Sequence, residues 1–436
     1  MSARPQRFAR APGVAQIGAF AFALCAALSA CGGGGSSPAG ADASGSAAAS
    51  APGTGSTANT GSTTPPGNTN GTVAQSSTPN VVAVTVSSTP TSTRNMLMTS
   101  VMVCVPATTD CATIDNVQVD TGSQGLRLLA SALPAGFALP AVPAGAGSDP
   151  AGACSAFGTG YTWGAVRRAD VKLAGEVAAS LPIQVIADPA VPAAPSGCAG
   201  LGLAMNSPAT LRANGILGVG PFNADCGAGC VNTALPSWYY TCPASGCTPS
   251  VQPLAQQVSN PVANFATDNN GVVIDLPAVA DSGASSISGS LIFGIGSQSN
   301  NALGSATVLR SNTGTGYVRT TTSDGSVYAQ SYLDSGSNAL FFSSSTLTRC
   351  GVWYCPSSPV SLGATISGTD GVSASVDLSV TNAQTLFGSG NWAFDNLAAY
   401  TSRVFGWGLP FFYGRRVFTA IEAQNTPAGP GPFFAF

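Results

Sequence analysis

Short runs of apolar and β-branched residues, rather than helical repeats, organise most of this chain. Residues 81–86 form one such run, and 96–105 and 115–119 are two more. The 3.6-residue period of a helix is rare, and the candidate helices are short, at 131–138 and 254–258. The pattern therefore predicts a mostly β domain.

The beginning of the chain has the pattern of an export signal. Three arginines precede an apolar run from Val14 to Leu28, which has the length of a signal core and is too short for a confident membrane span. The run ends at Leu28-Ser29-Ala30-Cys31-Gly32, which resembles the lipobox of bacterial lipoproteins. This resemblance implies a signal peptide at 1–31 and a lipidated Cys31 as the mature N-terminus. The alternative is an ordinary secretory signal with an incidental cysteine.

Residues 32–80 consist almost entirely of Gly, Ser, Thr, Ala, Pro and Asn, with one charged side chain, Asp42. Such a segment cannot bury a core, so it is predicted to be a disordered linker between a membrane and a folded domain. The expected location is the bacterial cell envelope, with the N-terminal lipid as the membrane contact. The resemblance to lipoproteins also implies the outer membrane, because Gly32 and not an aspartate follows the cysteine, and either face of that membrane is compatible with the sequence.

The amino-acid composition excludes several kinds of partner and catalytic group. With 436 residues and 44% apolar content, the chain can form two lobes. Charged residues make up 8% and the net charge is −3, so no nucleic-acid partner is expected. There is no histidine, which excludes Ser-His-Asp and Cys-His catalysis and histidine-bound zinc. The 18 carboxylates remain as the acid–base groups.

The cysteines indicate an oxidising compartment. Of the 12 cysteines, one lies in the signal and one is Cys31, which leaves an even number in the folded part. Short spacings between most of them predict five disulfides. A four-cysteine zinc site at 226–247 is the alternative, and the pairing within that group stays open. The candidates are Cys104, Cys111, Cys154, Cys198, Cys226, Cys230, Cys242, Cys247, Cys350 and Cys355.

One motif occurs twice. The sequence Val-Gln-Val-Asp-Thr-Gly-Ser at 117–123 is echoed by Ser-Tyr-Leu-Asp-Ser-Gly-Ser at 331–337. An apolar run followed by Asp-x-Gly predicts a strand and the turn that ends it. A third copy, Asp281-Ser282-Gly283, follows a poor strand and is interpreted as a loop. Two matched copies are what a two-lobed acid–base enzyme needs.

Asp120 and Asp334 are the predicted catalytic pair. Two carboxylates about 3 Å apart cannot both ionise, so the pair would hold one proton between them. One could then accept a proton from water while the other donates a proton to a carbonyl oxygen. Gly122 and Gly336 would let the two turns approach each other closely.

Four hydroxyl groups in the motifs are candidates for supporting roles. Thr121 and Ser335 could brace one turn against the other. Ser123 and Ser337 could donate to the outer carboxylate oxygens and so determine which oxygen carries the proton.

Together with four further segments, these motifs resemble the pepsin-like aspartic peptidase family. Residues Phe157-Gly158-Thr159-Gly160-Tyr161 resemble the flap hairpin of that family. Residues 214–220 resemble the Gly-Ile-Leu-Gly segment of the first lobe, and 408–418 resemble its second-lobe counterpart. Residues 289–294 resemble the strand that opens the second lobe. All elements occur in the family's order.

The resemblance implies an all-β, two-lobed fold with pseudo-twofold symmetry and a central cleft. The lobes would be residues 81–265 and 266–425, followed by a C-terminal tail at 426–436. It also implies an aspartic endopeptidase that hydrolyses peptide bonds with an activated water and needs no metal or cofactor. Its partner would be an extended polypeptide substrate, and a monomer is expected.

Two departures from the family pattern keep an alternative open. Phe157 replaces the flap tyrosine and removes its hydroxyl. Arg127 replaces the tryptophan that follows the first motif; we expect it to be exposed, because a buried cation there would lower a carboxylate pKa. No inhibitory propeptide is evident. The alternative is a catalytically inactive pepsin-like lipoprotein that binds a protein ligand.

Overall fold

The computed structural model describes residues 78–436; the predicted signal with Cys31, and nearly all of the predicted linker at 32–80, lie outside the described residues. Strands dominate the described part of the chain, and its four α-helices are one or two turns long. No helix within 78–436 is long and apolar enough to cross a membrane. The helices are α1 (Ser196–Ala199), α2 (Pro208–Leu211), α3 (Ala228–Asn232) and α4 (Ala383–Gly388), with 3₁₀ turns at Ala130–Ala132, Leu254–Gln256, Val262–Asn264, Ser299–Asn301 and Leu409–Phe412.

The strands are numbered in chain order. The first group, β1 to β13, lies between residues 81 and 293, and the second group, β14 to β27, lies between residues 308 and 435. The first group is β1 (Val81–Val86), β2 (Met98–Cys104), β3 (Cys111–Asp120), β4 (Gln124–Leu129), β5 (Ala151–Phe157), β6 (Gly160–Leu173), β7 (Glu176–Ile186), β8 (Leu203–Ala204), β9 (Gly215–Val219), β10 (Tyr239–Thr241), β11 (Thr248–Pro249), β12 (Gly271–Asp275) and β13 (Ile287–Phe293). The second group is β14 (Val308–Arg310), β15 (Val318–Thr322), β16 (Val327–Leu333), β17 (Leu340–Phe342), β18 (Arg349–Cys350), β19 (Trp353–Tyr354), β20 (Val360–Ser367), β21 (Ser373–Val380), β22 (Ala398–Tyr400), β23 (Val404–Trp407), β24 (Arg416–Ala420), β25 (Asn425–Thr426), β26 (Gly429–Pro430) and β27 (Phe433–Ala435).

The predicted strands at 81–86, 96–105 and 115–119 correspond to β1, β2 and β3. The two predicted helices are wrong. At 131–138 only a 3₁₀ turn forms, because Pro134 lacks a donor and Gly136 has a φ of +79°. At 254–258 a 3₁₀ turn follows Pro253 and ends at Gln256.

Two sheets contain most of the strands. The larger has the order β11-β10-β5-β6-β7-β4-β9-β3-β2-β1-β13-β12-β24-β27-β14, with β8 paired to β6. The second has the order β18-β19-β22-β17-β23-β16-β15-β20-β21. The buried core is continuous between them, since Val119, Leu217, Leu333 and Trp407 belong to one packed cluster.

The same strand arrangement occurs in both lobes. In the first, β3 lies parallel to β9, β4 lies antiparallel on the other side of β9, and β7 is parallel to β4. In the second, β16, β23, β17 and β22 repeat those pairings in the same order and directions. This duplication is the pseudo-twofold symmetry of the predicted all-β, two-lobed, pepsin-like fold.

The C-terminal residues form part of the large sheet. Strand β27 pairs with β24 on one side and with β14 on the other. Phe433 and Phe434 are almost completely buried. The segment predicted as a tail at 426–436 therefore docks into the fold through a strand that has partners on both edges.

All ten cysteines of the folded part form disulfides. In the group whose pairing the sequence left open, Cys226 pairs with Cys230 and Cys242 with Cys247. The alternative of a zinc site at 226–247 is therefore wrong, because all four of its cysteines are bonded to each other in pairs. The other pairs are Cys104–Cys111, Cys154–Cys198 and Cys350–Cys355.

Candidate active site

The first motif forms a turn that holds Asp120 at the end of β3. The Gly122 N–H donates to Asp120 Oδ1 at 2.7 Å, and the Ser123 hydroxyl donates to Oδ2 at 2.5 Å. Both carboxyl oxygens are thus fixed by donors within three residues. The carboxyl group is held in one orientation, which a positioned acid or base requires.

The second motif repeats this geometry at the end of β16. The Gly336 N–H donates to Asp334 Oδ1 at 2.8 Å, and the Ser337 hydroxyl donates to Oδ2 at 2.6 Å. Asp334 is more exposed than Asp120, whose relative exposure is 7%. Solvent can therefore reach the pair from the Asp334 side.

The two turns meet, and their carboxyl groups are within hydrogen-bonding range of each other. A Cβ on Gly122 would lie 2.6 Å from Asp334 Cγ, and a Cβ on Gly336 would lie 2.5 Å from Asp120 Oδ1. Each glycine thus packs against the opposite carboxyl group. Any side chain at either position would force the pair apart.

Reciprocal hydrogen bonds join the turns beneath the carboxyl groups. The Thr121 N–H donates to Ser335 Oγ at 3.1 Å, and the Ser335 N–H donates to Thr121 Oγ1 at 2.9 Å. Each hydroxyl also donates across the interface, Thr121 to the Leu333 carbonyl at 3.2 Å and Ser335 to the Val119 carbonyl at 2.9 Å. Both hydroxyl side chains are buried, so this brace is shielded from water.

Gln118 is a site residue that sequence reasoning missed. Its amide Nε2 donates to the Gly336 carbonyl at 2.9 Å and thereby adds a further link between the lobes. Residues two apart in a strand share a face, so the position of Gln118 two residues before Asp120 could have predicted that it lies near the site. The matching position in the second motif is Tyr332, so this contact is not duplicated.

The pKa of Asp120 is raised well above its ordinary range. Burial is the main cause, followed by the charge of Asp334 and the hydrogen bond between the two carboxyl groups. The donors Ser123 and Gly122 act in the opposite direction. The pair therefore retains a proton at pH values where an isolated aspartate would be ionised.

The predicted flap is a hairpin of β5 and β6, with Phe157 paired to Gly160 across the turn. Phe157 packs against a cluster that contains Met205 and Ile216. Tyr161 packs in a different cluster, where its relative exposure is 8%. Tyr161 therefore does not place its hydroxyl where Phe157 lacks one.

Strand β8 and one disulfide hold this hairpin. Gly160 and Tyr161 pair in parallel with Leu203 and Ala204, and the Thr159 hydroxyl lies 3.0 Å from a methionine sulfur. The Cys154–Cys198 disulfide ties β5 to α1.

The expectation that Arg127 is exposed is wrong. Its relative exposure is 2%, and its guanidinium forms a 3.0 Å ion pair with Asp225. The guanidinium also donates to Gln184 Oε1 at 3.1 Å and to the Gln124 carbonyl at 3.3 Å. Sequence pattern could not reveal this partner, because Asp225 lies far along the chain, in a loop.

The other three segments that resemble the family lie in or next to strands. Residues 214–220 contain β9, whose Gly218 pairs with Asp120. Residues 289–293 belong to β13, and Gly294 follows that strand. The second-lobe counterpart of β9 is β23, which ends just before the predicted 408–418. The prediction was displaced because Gly406 and Trp407 interrupt the expected aliphatic run.

The third motif copy is not part of the site. Asp281 lies in an exposed turn rather than at the end of a strand. No group of three or more His, Cys, Asp or Glu side chains that could hold a metal ion occurs between residues 78 and 436.

Fold and site together define a two-lobed pepsin-like protein with a facing pair of carboxyl groups. The chain belongs to the DUF3443 family, described as "Protein of unknown function (DUF3443)", whose family model matches residues 76–436. A comparison with curated proteins finds no match.

Among solved structures, the chain is similar to the aspartic proteinase from Irpex lacteus, with 15% identity and a TM-score of 0.48. The similarity covers 81% of this chain and 96% of that one. The assignment of the fold rests on the strand pairings described above.

Proposed function

We propose that this protein is an aspartic endopeptidase that hydrolyses peptide bonds with a water activated by Asp120 and Asp334. The observation that supports it is the reciprocal site: two carboxyl groups in hydrogen-bonding range, each held by the same donors. Two aspartates with unrelated structural roles would not need the same carboxyl orientation or reciprocal hydrogen bonds between their turns.

The reaction uses the proton that the pair shares. The ionised carboxyl takes a proton from water, and the resulting hydroxide attacks the peptide carbonyl carbon. The protonated carboxyl gives its proton to the carbonyl oxygen, so the tetrahedral intermediate forms without a charged oxygen. One carboxyl then protonates the leaving nitrogen while the other takes a proton from a hydroxyl of the tetrahedral intermediate. The C–N bond breaks, a carboxylic acid and an amine are released, and the pair again holds one proton.

The proposed substrate is an extended segment of polypeptide, bound by the monomeric protein between the 157–161 hairpin and the carboxyl pair. An extended chain presents its backbone amides along its length, and the outer edge of β5 at residues 155–157 lies beyond the pairing of β5 with β10 at 151–153. Neither metal nor cofactor enters this mechanism.

Cleavage of an unfolded protein between pH 2 and 7 tests the proposal. Activity at acid pH is expected, with loss of at least about 10²-fold in Asp120→Asn and in Asp334→Asn, since each removes a proton-transfer group. Asp281→Asn is the matched control, because it alters an Asp-Ser-Gly turn outside the site and should retain activity. Equal loss in the control, or retained activity in either catalytic variant, would contradict the proposal.

A second candidate is a pepsin-like module that binds a polypeptide without cleaving it, and Phe157 favours it. A flap without a hydroxyl at this position lacks a donor near the reacting groups. The substitution Phe157→Tyr distinguishes the two candidate functions. It should raise kcat if the protein is an enzyme and change only the affinity for peptide if the protein is a binding module. Absence of cleavage together with peptide binding that survives Asp120→Asn would select the second candidate.

We propose a lipid-anchored location in the cell envelope, which can be tested at Cys31 itself. The signal-like pattern at 1–31, the uncharged linker and the five disulfides support this location. Mass spectrometry of the mature N-terminus should show an acylated Cys31, and Cys31→Ser should release the protein from membranes. An unmodified N-terminus elsewhere in the chain would reject the anchor.

A further inference from the structure

The buried ion pair of Arg127 and Asp225 lies beside the turn that carries Asp120. Across the sheet, Asp120 pairs with Gly218, which pairs with Gly125, and Arg127 is two residues further along β4. Strand spacing and rise then put the Cα atoms of Asp120 and Arg127 roughly 12 Å apart on one face of the sheet.

The ion pair also contacts the turn directly. The Arg127 guanidinium donates to the carbonyl of Gln124, the residue after Ser123, whose hydroxyl holds the Asp120 carboxyl. Asp225 is held in turn by Tyr239, whose hydroxyl donates to Oδ1 at 2.6 Å.

The charged and titratable groups around Arg127 come from every neighbouring element. Asp225 approaches from the loop after β9, Tyr239 from β10, and Asp120 from the end of β3, with Asp334 behind it from the second lobe. The β7 neighbour, Gln184, is neutral. Asp225 is thus the carboxylate that directly balances the buried guanidinium.

We propose that Asp225 is a positioning residue: by neutralising Arg127, it keeps a buried positive charge from stripping the shared proton from the Asp120–Asp334 pair. This inference rests on the proposed peptidase function. A bare cation on this face would favour the doubly ionised pair, in which no carboxyl can protonate the substrate. With Asp225 ionised, Arg127 can support the turn through Gln124 without this cost.

Burial raises the pKa of Asp225, although Arg127 and Tyr239 act in the opposite direction. The pKa of Asp120 is also raised, well above the same ordinary value. The effect of Asp225 is therefore to be measured on the alkaline limb of the pH profile, where the pair loses its last proton.

The experiment compares the alkaline limb of kcat/KM in Asp225→Asn, Arg127→Met and the double variant, in the full chain. Asp225→Asn should move the limb down by roughly one pH unit, the effect of a unit charge about 10 Å away at an effective dielectric of ~20. Arg127→Met should move it up relative to the double variant, whose limb should match the wild type. A purely structural role would lower kcat in all three without separating their limbs.

Asp188→Asn is the matched control. Asp188 forms a 2.7 Å ion pair with Arg167, another largely buried guanidinium–carboxylate contact. Arg167 lies on β6 next to Val166, which is in line with Gln184 and Arg127 across the sheet, so Arg167 is on the opposite face from Arg127. Its loss should leave the alkaline limb in place.

The inference is overturned if the limb of Asp225→Asn coincides with that of the double variant. If Asp225→Asn does not fold, the limb of Arg127→Met decides, and equality with the double variant overturns it. If the wild-type protein cleaves nothing, the proposed function fails separately. Carboxyl-carbon NMR of the labelled aspartates, assigned with Asp120→Asn, then reports the same shifts of the pair without turnover.

Discussion

Individual carboxylates of this molecule differ in pKa according to what surrounds them. Burial and the nearby charge of Asp281 raise the pKa of Asp395 to about 6. Hydrogen bonds from Thr322 and Ser326 instead lower the pKa of the exposed Asp324. At the scale of the residue, surroundings rather than residue type determine whether ionisation stabilises the fold.

Asp395→Asn should make the protein more stable at neutral pH. The folded pKa of Asp395 is above its unfolded value, so the folded state binds more protons between about pH 4 and 6. Stability from this group is present below pH 4 and lost as the pH rises through 6. With allowance for screening of this half-exposed group, the variant should gain about 1 kcal/mol at pH 7 and nothing at pH 3.5.

Urea unfolding at both pH values measures this difference. Asp324→Asn is a control of opposite sign, because a lowered pKa stabilises the fold above about pH 4 and that stability is lost on acidification. A wild type and Asp395→Asn with parallel pH dependence would refute the prediction.

The structural element on which the site depends is the pair of matched turns. Each turn satisfies its own carboxyl oxygens locally and then uses a Thr or Ser hydroxyl to bond the other turn. Buried hydrogen bonds of this kind are costly to leave half-made, which keeps the turns in register.

Thr121→Val should destabilise the protein by about 2–4 kcal/mol. The substitution keeps the shape of the side chain, but it leaves the buried Ser335 N–H without its acceptor and the Leu333 carbonyl without its donor. Thr99→Val is the matched control, since Thr99 is equally buried and makes one bond, to the Ala83 carbonyl.

The control should cost only about 1 kcal/mol in denaturant unfolding. Equal losses of unfolding free energy in the two variants would show that the hydrogen bonds between the turns contribute no more than a single buried hydrogen bond elsewhere.

At the scale of the whole molecule, the large sheet joins strands from the beginning, middle and end of the described chain. Strand β1 pairs with β13, and β27 fills the place between β24 and β14. The lobes therefore share hydrogen-bonded structure and a continuous core, and we expect them to unfold together.

Phe433→Ala should lower the free energy of unfolding by about 3–5 kcal/mol. Phe433 is completely buried on β27, so truncation leaves a cavity in the shared sheet. Phe387→Ala, at a partly exposed position, should cost less. Fluorescence and near-UV circular dichroism should report one coincident transition in the wild type, and two separated transitions would contradict this view.

Much of the fold follows from local pattern. Apolar runs ended by Asp-x-Gly predict strands and turns, and the duplicated motif 117–123 and 331–337 predicts related lobes. The short helices failed because Pro134 and Gly136 outweigh a weak apolar period. The second-lobe counterpart of β9 was predicted at 408–418 instead of at β23, because Gly406 and Trp407 lack the expected aliphatic pattern.

The sequence by itself determined the candidate carboxylates, the supporting Thr, Ser and Gly residues, and the number of disulfides. These depend on residue type and on short-range turn geometry. Only the tertiary structure decided that Asp120 and Asp334 meet, that Gln118 joins the lobes, and that Arg127 is buried against Asp225. Such contacts link residues far apart in the chain, and their energy depends on burial and distance, which no local pattern encodes.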